Sequence, residues 1–500
     1  MQSKKMVKGI IGSCLSLGTL SVMAAVNVDS LPLEKLKTDV VVVGGGATGM
    51  AAAASAAEHG AKVILLEKLF MVGGSSALSG GAIAAGDTKW QHKNGVNIPA
   101  QGFADQWLKD QENSVPGAHK DYPNEKAVRK ITDQFTQTID WLDTKVGAKF
   151  AKPRPFGWGG PDYAHAPAQM PVPPSGRGSL ETGGRFVIAS LKDYGDKLGV
   201  QYKVNTPAYE LLTDKAGNIT GILAHDKNKR YEISAPAVIL ASGGFAKNYE
   251  MVKQRVPVFA QYVKNSVATA GDTGDGIKMG LKVGAVEPKD SWVIGLFLTA
   301  VNPKLTNTFR TKYGYKDCTF VNQDGKRFVK EDLSYVTDHI AEQKSAWALV
   351  DSSDPEKVKP LESVTDKAIA VKGNTVEELA KNLGASPKNL KAVFDQVNEA
   401  AATGDDKVFH KEKMYIHGLT KAPFYAVRVI PVTGGTMGGL VTDDHFRVLD
   451  KNGKPIKGLY AGGEMANRQF YNRTYSSGSS LAIALTSGRI AGETAGEQAK

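Results

Sequence analysis

The stretch Asp39-Val-Val-Val-Val-Gly-Gly-Gly-Ala-Thr-Gly49 decides the fold. Four successive valines carry no polar alternation, and such a run reads as a strand buried on both faces of a parallel sheet. The Ala-rich segment Met50–Glu58 reads as a helix, stopped at Gly60. Lys62-Val-Ile-Leu-Leu-Glu67 reads as a second buried strand, which completes one βαβ unit. Between strand and helix, Gly44, Gly46 and Gly49 fall in the spacing G-x-G-x-x-G. Gly44 permits a tight turn, Gly46 lets backbone approach a pyrophosphate, and Gly49 lets helix pack on strand. The helix N-terminus offers N–H groups and a positive dipole end to phosphates. Glu67 stands 18 residues past Gly49, placed to accept from ribose hydroxyls. Glycine spacing alone fits a tight turn without ligand. With both strands, helix and acid in register, it predicts a dinucleotide site.

Outward from this unit, buried strands run into glycines twice more, at Ala237-Val-Ile-Leu-Ala-Ser-Gly-Gly244 and Gly458-Leu-Tyr-Ala-Gly-Gly-Glu464. Ile131, Phe135, Ile139, Leu142 and Val146 make one apolar helical face, and residues 184–198 are again helical in pattern. Residues 151–175 hold seven of the 22 prolines and read as a long stiff loop. Residues 291–429 change character, with more lysines, aromatics and helical patterns such as Pro387–Thr403 behind an N-cap at Ser386. Ser480–Glu497 closes the chain as a helix. The expected fold is α/β: a Rossmann-like domain in two pieces, 30–290 and 430–500, with an α+β domain, 291–429, inserted between them. The 54 glycines in 500 residues exceed the usual ~7% and suit turns packed against a ligand. A long FAD needs several such backbone approaches, whereas an NAD domain has no use for a third contact segment near the C-terminus.

Lys4, Lys5 and Lys8 precede an apolar run, Gly9–Met23, and Val22-Met23-Ala24 offers a cleavage site; residues 1–24 read as a secretory signal. A buried N-terminal helix is the alternative, and Cys14 as a lipid attachment site another. Removing the signal takes away three lysines and no acid, lowering the net charge from +11 to +8. One cysteine, Cys318, remains, so no internal disulfide is possible. No Cys-x-x-Cys occurs, which excludes zinc ribbons, iron–sulfur clusters and c-type haem attachment, and no metal site is expected. The lysines are scattered rather than grouped with aromatics, so nucleic acid is not an expected partner. Outside the N-terminus no run reaches the ~18–20 apolar residues of a spanning helix, and no stable membrane insertion is expected.

Seven motifs stand in one order: Val43–Gly49, Gly73-Gly-Ser-Ser76, Ala241-Ser-Gly-Gly-Phe-Ala-Lys-Asn248, Thr273-Gly-Asp-Gly276, Asn322-Gln-Asp-Gly-Lys-Arg-Phe328, Thr436-Met-Gly-Gly-Leu440 and Gly458–Glu464. In these the chain resembles the soluble flavin-dependent fumarate reductases and their relatives, the urocanate reductases and ketosteroid dehydrogenases. The resemblance covers roughly residues 38–500 and implies that the inserted domain, 291–429, is a capping domain that closes over the flavin. It implies contact with FAD by Gly44, Gly46, Ala47, Gly49, Glu67, Gly74, Ser75, Ser76, Gly80, Gly81, Gly243, Asp275, Glu464, Ser480 and Leu481. A turn acid at Asp275 and a helix cap at Ser480 are the plainer alternatives. Complex II relatives carry FAD on a His where Ser76-Ala77-Leu78 stands here, which implies non-covalent FAD.

The catalytic positions depart from fumarate reductases. Their proton-donating Arg aligns with Tyr335, their two substrate histidines with Gly434 and Gly435, and a second substrate Arg with Tyr475. The dicarboxylate clamp is therefore largely gone. A Tyr after Gly-x-Arg-Phe, a Thr436–Asp443 segment and a Tyr three residues before Gly478 resemble the ketosteroid dehydrogenases, where tyrosines handle the α-proton and polarise a carbonyl. A phenol suits that task because it donates while neutral. Ordinary packing is the alternative for both tyrosines. Arg468 or Arg473 could recover carboxylate recognition, or serve surface pairs; Tyr163 and His165 could line the pocket, or only pack a loop.

The expected protein is a periplasmic, non-covalent FAD enzyme reducing a C=C bond conjugated to a carbonyl or carboxylate, and not fumarate itself. Its electrons would come from a periplasmic cytochrome or an FMN carrier, in anaerobic respiration. The same chemistry reversed, a ketosteroid-like desaturase, is the second reading. A flavin electron carrier without substrate is the third; a 139-residue insertion argues against it, since a carrier needs no lid.

Overall fold

A computed structural model describes residues 27–112, 120–155, 161–168, 183–311, 313–333 and 335–499. The expected signal segment with Cys14, and about half of the Pro-rich stretch 151–175, lie outside the described residues. Val40–Val43 are buried throughout and sit inside a six-stranded sheet. Its order is Arg447–Leu449, Pro455–Ala461, Ala237–Leu240, Val40–Val43, Val63–Leu66 and Gln201–Lys203. Every neighbouring pair is parallel except the first, which is antiparallel. Burying each valine side chain contributes ~1.5–3 kcal/mol, which outweighs any local preference for turn or helix.

The helix Ala47–Glu58 is buried along its whole length except Glu58. The closing helix, Ser479–Gln498, lies on it through Gly488, Gly492 and Gly496. A Cβ at Gly488 or Gly492 would overlap the carbonyl oxygens of Thr48 and Ala52. Alanines on one helix and glycines at i, i+4, i+8 on the other thus bring the two backbones together. That contact joins the two sequence pieces into one domain. A second sheet, not foreseen in the sequence, runs Leu33–Lys37, Arg230–Ser234, Ile219–His225, Ala208–Thr213.

The expected apolar helical face is present on Glu125–Trp141 and the π turn Leu142–Val146, with Ile131, Phe135, Ile139, Leu142 and Val146 all buried. It packs with Phe103 and Trp107. Within 151–175 the described part is not all loop: Ala164–His165 pairs antiparallel with Ile83–Ala84. His165 is fully buried, its Nε2 at 2.9 Å from Thr88 Oγ1 and its Nδ1 at 3.1 Å from Tyr163 O. Burial pushes its pKa down to about 4, against ~6.5 in an unfolded chain. The folded state therefore holds fewer protons in that interval, and stability is lost as pH falls from ~6.5 towards 4. Denaturant unfolding at successive pH values should show this loss, and His165→Gln should flatten it.

The capping sheet runs Trp292–Ala300, Phe424–Met437, Ala346–Val350, Thr319–Asn322, and Ala370–Gly373 adds to Phe424–Met437. The strand Phe424–Met437 crosses the expected domain boundary at 430 without a break, because its register with Trp292–Ala300 continues to Met437. Pro387–Thr403 is a helix, and the Ser386 side chain accepts from Asn389 N as its cap. Arg327, buried, pairs with Glu331 (Nη2–Oε2 2.6 Å) and Asp406 (2.7 Å). These pairs fix the segment leading to Tyr335. Cys318 is buried with its thiol pushed up to about 12, so it is not a thiolate.

Candidate active site

One elongated cavity of about 590 Å³ lies between the six-stranded sheet and the cap. Glu67 marks one end. Its carboxylate accepts from Gly45 N (2.7 Å) and Leu69 N (2.8 Å), which leaves a further lone pair on each oxygen. Beside it Lys68 Nζ binds Asp275 Oδ2 and Thr273 Oγ1, both at 2.6 Å. The middle is formed by Gly44, Gly46, Ala47 and Gly243. The helix Ala47–Glu58 starts there with glycine as N-cap, so the cap residue itself puts no side chain over its N-terminus. Ser76 Oγ accepts from Ala47 N at 3.1 Å, which leaves its O–H to donate. Ser75 Oγ accepts from Thr269 N at 3.0 Å.

The other end is bounded by Ile294, Leu296 and Phe297 of the cap, by Gly434, and by Tyr475, Ser477 and Gly478. Tyr335 OH lies 2.7 Å from Ser477 Oγ, and the Tyr335 and Tyr475 rings meet edge to face at 5.2 Å. Tyr471 completes the stack, 6.3 Å from Tyr475. Burial holds the Tyr335 phenol well above its ordinary value. Burial also pushes Tyr475 up to about 12, against the pull of the Ser480 and Gly478 N–H groups. Both phenols are therefore neutral donors at physiological pH.

This cavity is long, open to a helix N-terminus at its middle and lined by glycine where a nucleotide backbone must pass. A family model described as an FAD binding domain matches residues 39–481. The chain belongs to that FAD-binding family. It is an FAD-dependent oxidoreductase.

The residues present fit FAD. Glu67 has lone pairs for ribose hydroxyls, the glycine N-cap suits the pyrophosphate, and the buried Asp272 Oδ1 facing the cavity has no partner among the described residues. A probable fumarate reductase of Shewanella frigidimarina is 30% identical over 432 residues, 85% of this chain and 69% of that one. A urocanate reductase of Eggerthella lenta is 29% identical over 441 residues, 84% and 68% of the two chains. The chain thus spans about two thirds of the length of these curated relatives. The 3-ketosteroid-delta4-(5alpha)-dehydrogenase of Rhodococcus jostii RHA1 superposes with a TM-score of 0.72 at 25% identity, covering 92% and 97%. The resemblance read from the seven motifs therefore holds for all three kinds of relative. Among the described residues no helix is long and apolar enough to cross a membrane.

Most of the expected residues line this FAD cavity: Gly44, Gly46, Ala47, Glu67, Gly74, Ser75, Ser76, Gly80, Gly81, Gly243, Asp275, Glu464, Ser480 and Leu481, with Gly434, Tyr475 and Gly478 at the far end. Five do not. Gly49 is packed on the turn, where a Cβ would overlap Gly44 O. Gly435 backs onto the Glu464 carboxyl, which occupies the space a side chain would need. Tyr163, with a relative exposure of 5%, packs edge-on against Phe103 in the core, so a substrate role is withdrawn for it and for His165. Arg473 stacks over Trp292 at 4.2 Å, with Nη1 3.9 Å from Glu342, and does not reach the cavity wall. Tyr335 reaches the cavity through Ser477 rather than directly. Arg468 is committed elsewhere: it is buried, pairs with Asp290 (2.9 and 2.7 Å), donates to the Tyr471 and Asn472 carbonyls and stacks on Tyr122. The sequence reading missed Ser477, Asp272 and Lys68. Asp272 stands one residue before the Thr273–Gly276 motif and Lys68 one after Glu67, so widening each motif by a residue would have found them. Ser477 had no signal beyond its nearness to Tyr475.

Proposed function

We propose that the protein reduces the C=C bond of an α,β-unsaturated carbonyl or carboxylate compound, and that fumarate is a poor substrate. The observation that carries this is the composition of the far end of the cavity. It presents phenol and hydroxyl groups, Tyr475 and Ser477, with Tyr335 behind, against an apolar wall of Ile294, Leu296 and Phe297. Lys68 is the one cationic side chain among the described lining residues, and it is held by Asp275 on the Glu67 side. A dicarboxylate would be left without a counter-charge there.

Reduced FAD, when bound, supplies the hydride that adds to the β-carbon. The chain supplies the rest. Tyr475 donates to the conjugated oxygen and draws electron density from the alkene. Tyr335 holds the proton destined for the α-carbon, and Ser477 Oγ, which touches both Tyr335 and the cavity, passes it on. The apolar wall excludes water from the developing carbanion. FAD is held without a covalent bond, since Ser76-Ala77-Leu78 offers no imidazole or thiol. Electrons come from a separate periplasmic cytochrome or FMN carrier, a reading supported by the signal-like pattern of residues 1–24 and by the lack of a Cys-x-x-Cys haem-attachment motif in this sequence.

Purified protein should oxidise reduced viologen when given an enone or enoate and should ignore NADH. Acid precipitation should leave the yellow flavin in solution. Fast turnover with NADH alone would remove the need for an external redox protein, and colour kept in the pellet would contradict non-covalent binding. The likeness to the steroid dehydrogenase, together with the paired tyrosines, favours one second reading: desaturation of a saturated ketone. Reduction of an artificial dye in the presence of such a ketone, without viologen activity, would select it.

A further inference from the structure

Two acids stand in the wall of the FAD cavity, Asp272 buried and Glu464 half-buried. Asp272, with a relative exposure of 4%, accepts from Ala246 N at 3.3 Å through Oδ2, while Oδ1 has no partner among the described residues. Glu464 Oε2 accepts from Thr436 N (2.9 Å) and Thr436 Oγ1 (3.3 Å). The two carboxyls face successive glycines: a Cβ at Gly243 would lie 3.0 Å from Asp272 Oδ1, and one at Gly244 2.6 Å from Glu464 Oε2. Two lysines are near enough to act on Asp272, and neither is bonded to it. Lys68 is held by Asp275 and Thr273, and Lys247 Nζ donates to Ser266 O at 2.5 Å. The other titratable groups facing Glu464 are the neutral phenols of Tyr471 and Tyr475.

Two carboxylates facing successive glycines of one turn, with no cation bonded to either, cost more to ionise together than one alone. Burial pushes Asp272 up to about 6. Burial first, and then the charge of Asp272, holds Glu464 well above the usual carboxylate range.

We propose that Asp272 and Glu464 form a single proton-binding site that couples FAD binding to proton binding. The pair carries one proton and one negative charge through the neutral range. FAD brings a pyrophosphate dianion and displaces water, so the loaded cavity holds that proton more tightly than the empty one. Affinity for FAD is then highest below the pKa of that proton in the empty protein, falls between that value and its higher value in the loaded protein, and is level above both. The proposal rests on the FAD site and does not depend on the substrate.

The test uses the full chain stripped of flavin. FAD is titrated by flavin fluorescence across about pH 5–9, and the infrared carbonyl band of a protonated carboxylic acid is sought at neutral pH and checked by its shift in heavy water. The parent should show the band, and its Kd for FAD should rise about tenfold per pH unit over part of the range. Glu464→Gln leaves Asp272 alone, which should ionise at neutral pH, so this variant should lose the band and flatten the pH dependence there. Asp272→Asn takes away the neighbouring charge, so Glu464 should ionise more readily and the slope should move to lower pH. A parent lacking either the band or the slope overturns the proposal while leaving the FAD site standing. Retention of both in Glu464→Gln, or an unmoved slope in Asp272→Asn, also overturns it, since the two acids would then act separately. A protein that binds no FAD at any pH overturns the site itself.

Discussion

Tyr335→Phe is expected to lower turnover by ~10²–10⁴, the usual share of a positioned acid. The change removes one oxygen from a side chain whose ring packs on Tyr475. Folding and FAD content should survive it, although Ser477 Oγ loses its 2.7 Å partner at a cost of ~1–3 kcal/mol. The KM should move little, because the lost proton transfer belongs to the transition state. Ser477→Ala should match this loss, since it cuts the same relay at its cavity end. The double variant should be no slower than either single one. Steady-state viologen kinetics on the four proteins check this. Full activity in Tyr335→Phe would move the donor to Tyr475 or to water, and additive losses would separate Tyr335 from Ser477.

Gly44→Ala should carry the largest structural effect. Gly44 has φ +106°, and a Cβ there would overlap Ala241 O. Left-handed strain contributes ~1–2 kcal/mol and forced overpacking ~1–3 kcal/mol. The sum is a large part of a net stability of ~5–15 kcal/mol. The displaced turn is also the one that faces the pyrophosphate, so flavin content should fall with stability. Gly217→Ala is the control. Its φ is +83°, but a Cβ meets nothing within 4 Å, so the strain acts alone. Thermal melting and flavin-to-protein ratio should show a severe loss for Gly44→Ala and a mild, flavin-neutral one for Gly217→Ala. Equal losses would mean that φ strain, not the close approach to Ala241, dominates.

The contrast between these two glycines shows what was legible in the sequence. Val40–Val43 and the glycines after them could be read because burial on both faces and backbone approach each demand one residue type. The cavity-lining role of Glu67, Ser75, Asp275 and Glu464 was legible for the same reason: each sits at a fixed offset from such a motif. The edge strand Leu33–Lys37 was not, because its largely exposed residues place the two leucines three apart rather than in strand alternation. Tyr163 and Arg473 looked like pocket residues only by type. Nothing local told Tyr163 that Phe103, sixty residues earlier in the chain, would cover it, or told Arg473 that Trp292 would take its guanidinium face. Arg468 was misjudged similarly, since its partner Asp290 lies far back in the chain, just ahead of the cap. Long-range pairing of polar side chains leaves no periodic trace.

Reoxidation in a single turnover tests the central claim most directly. The protein, its flavin reduced anaerobically with one equivalent of dithionite, is mixed with a simple α,β-unsaturated ketone and, separately, with fumarate. The account predicts that one equivalent of ketone restores the oxidised flavin spectrum and yields one equivalent of saturated ketone, while fumarate reacts far more slowly. A flavin that stays reduced with every enone and enoate, or one that fumarate reoxidises fastest, would contradict it.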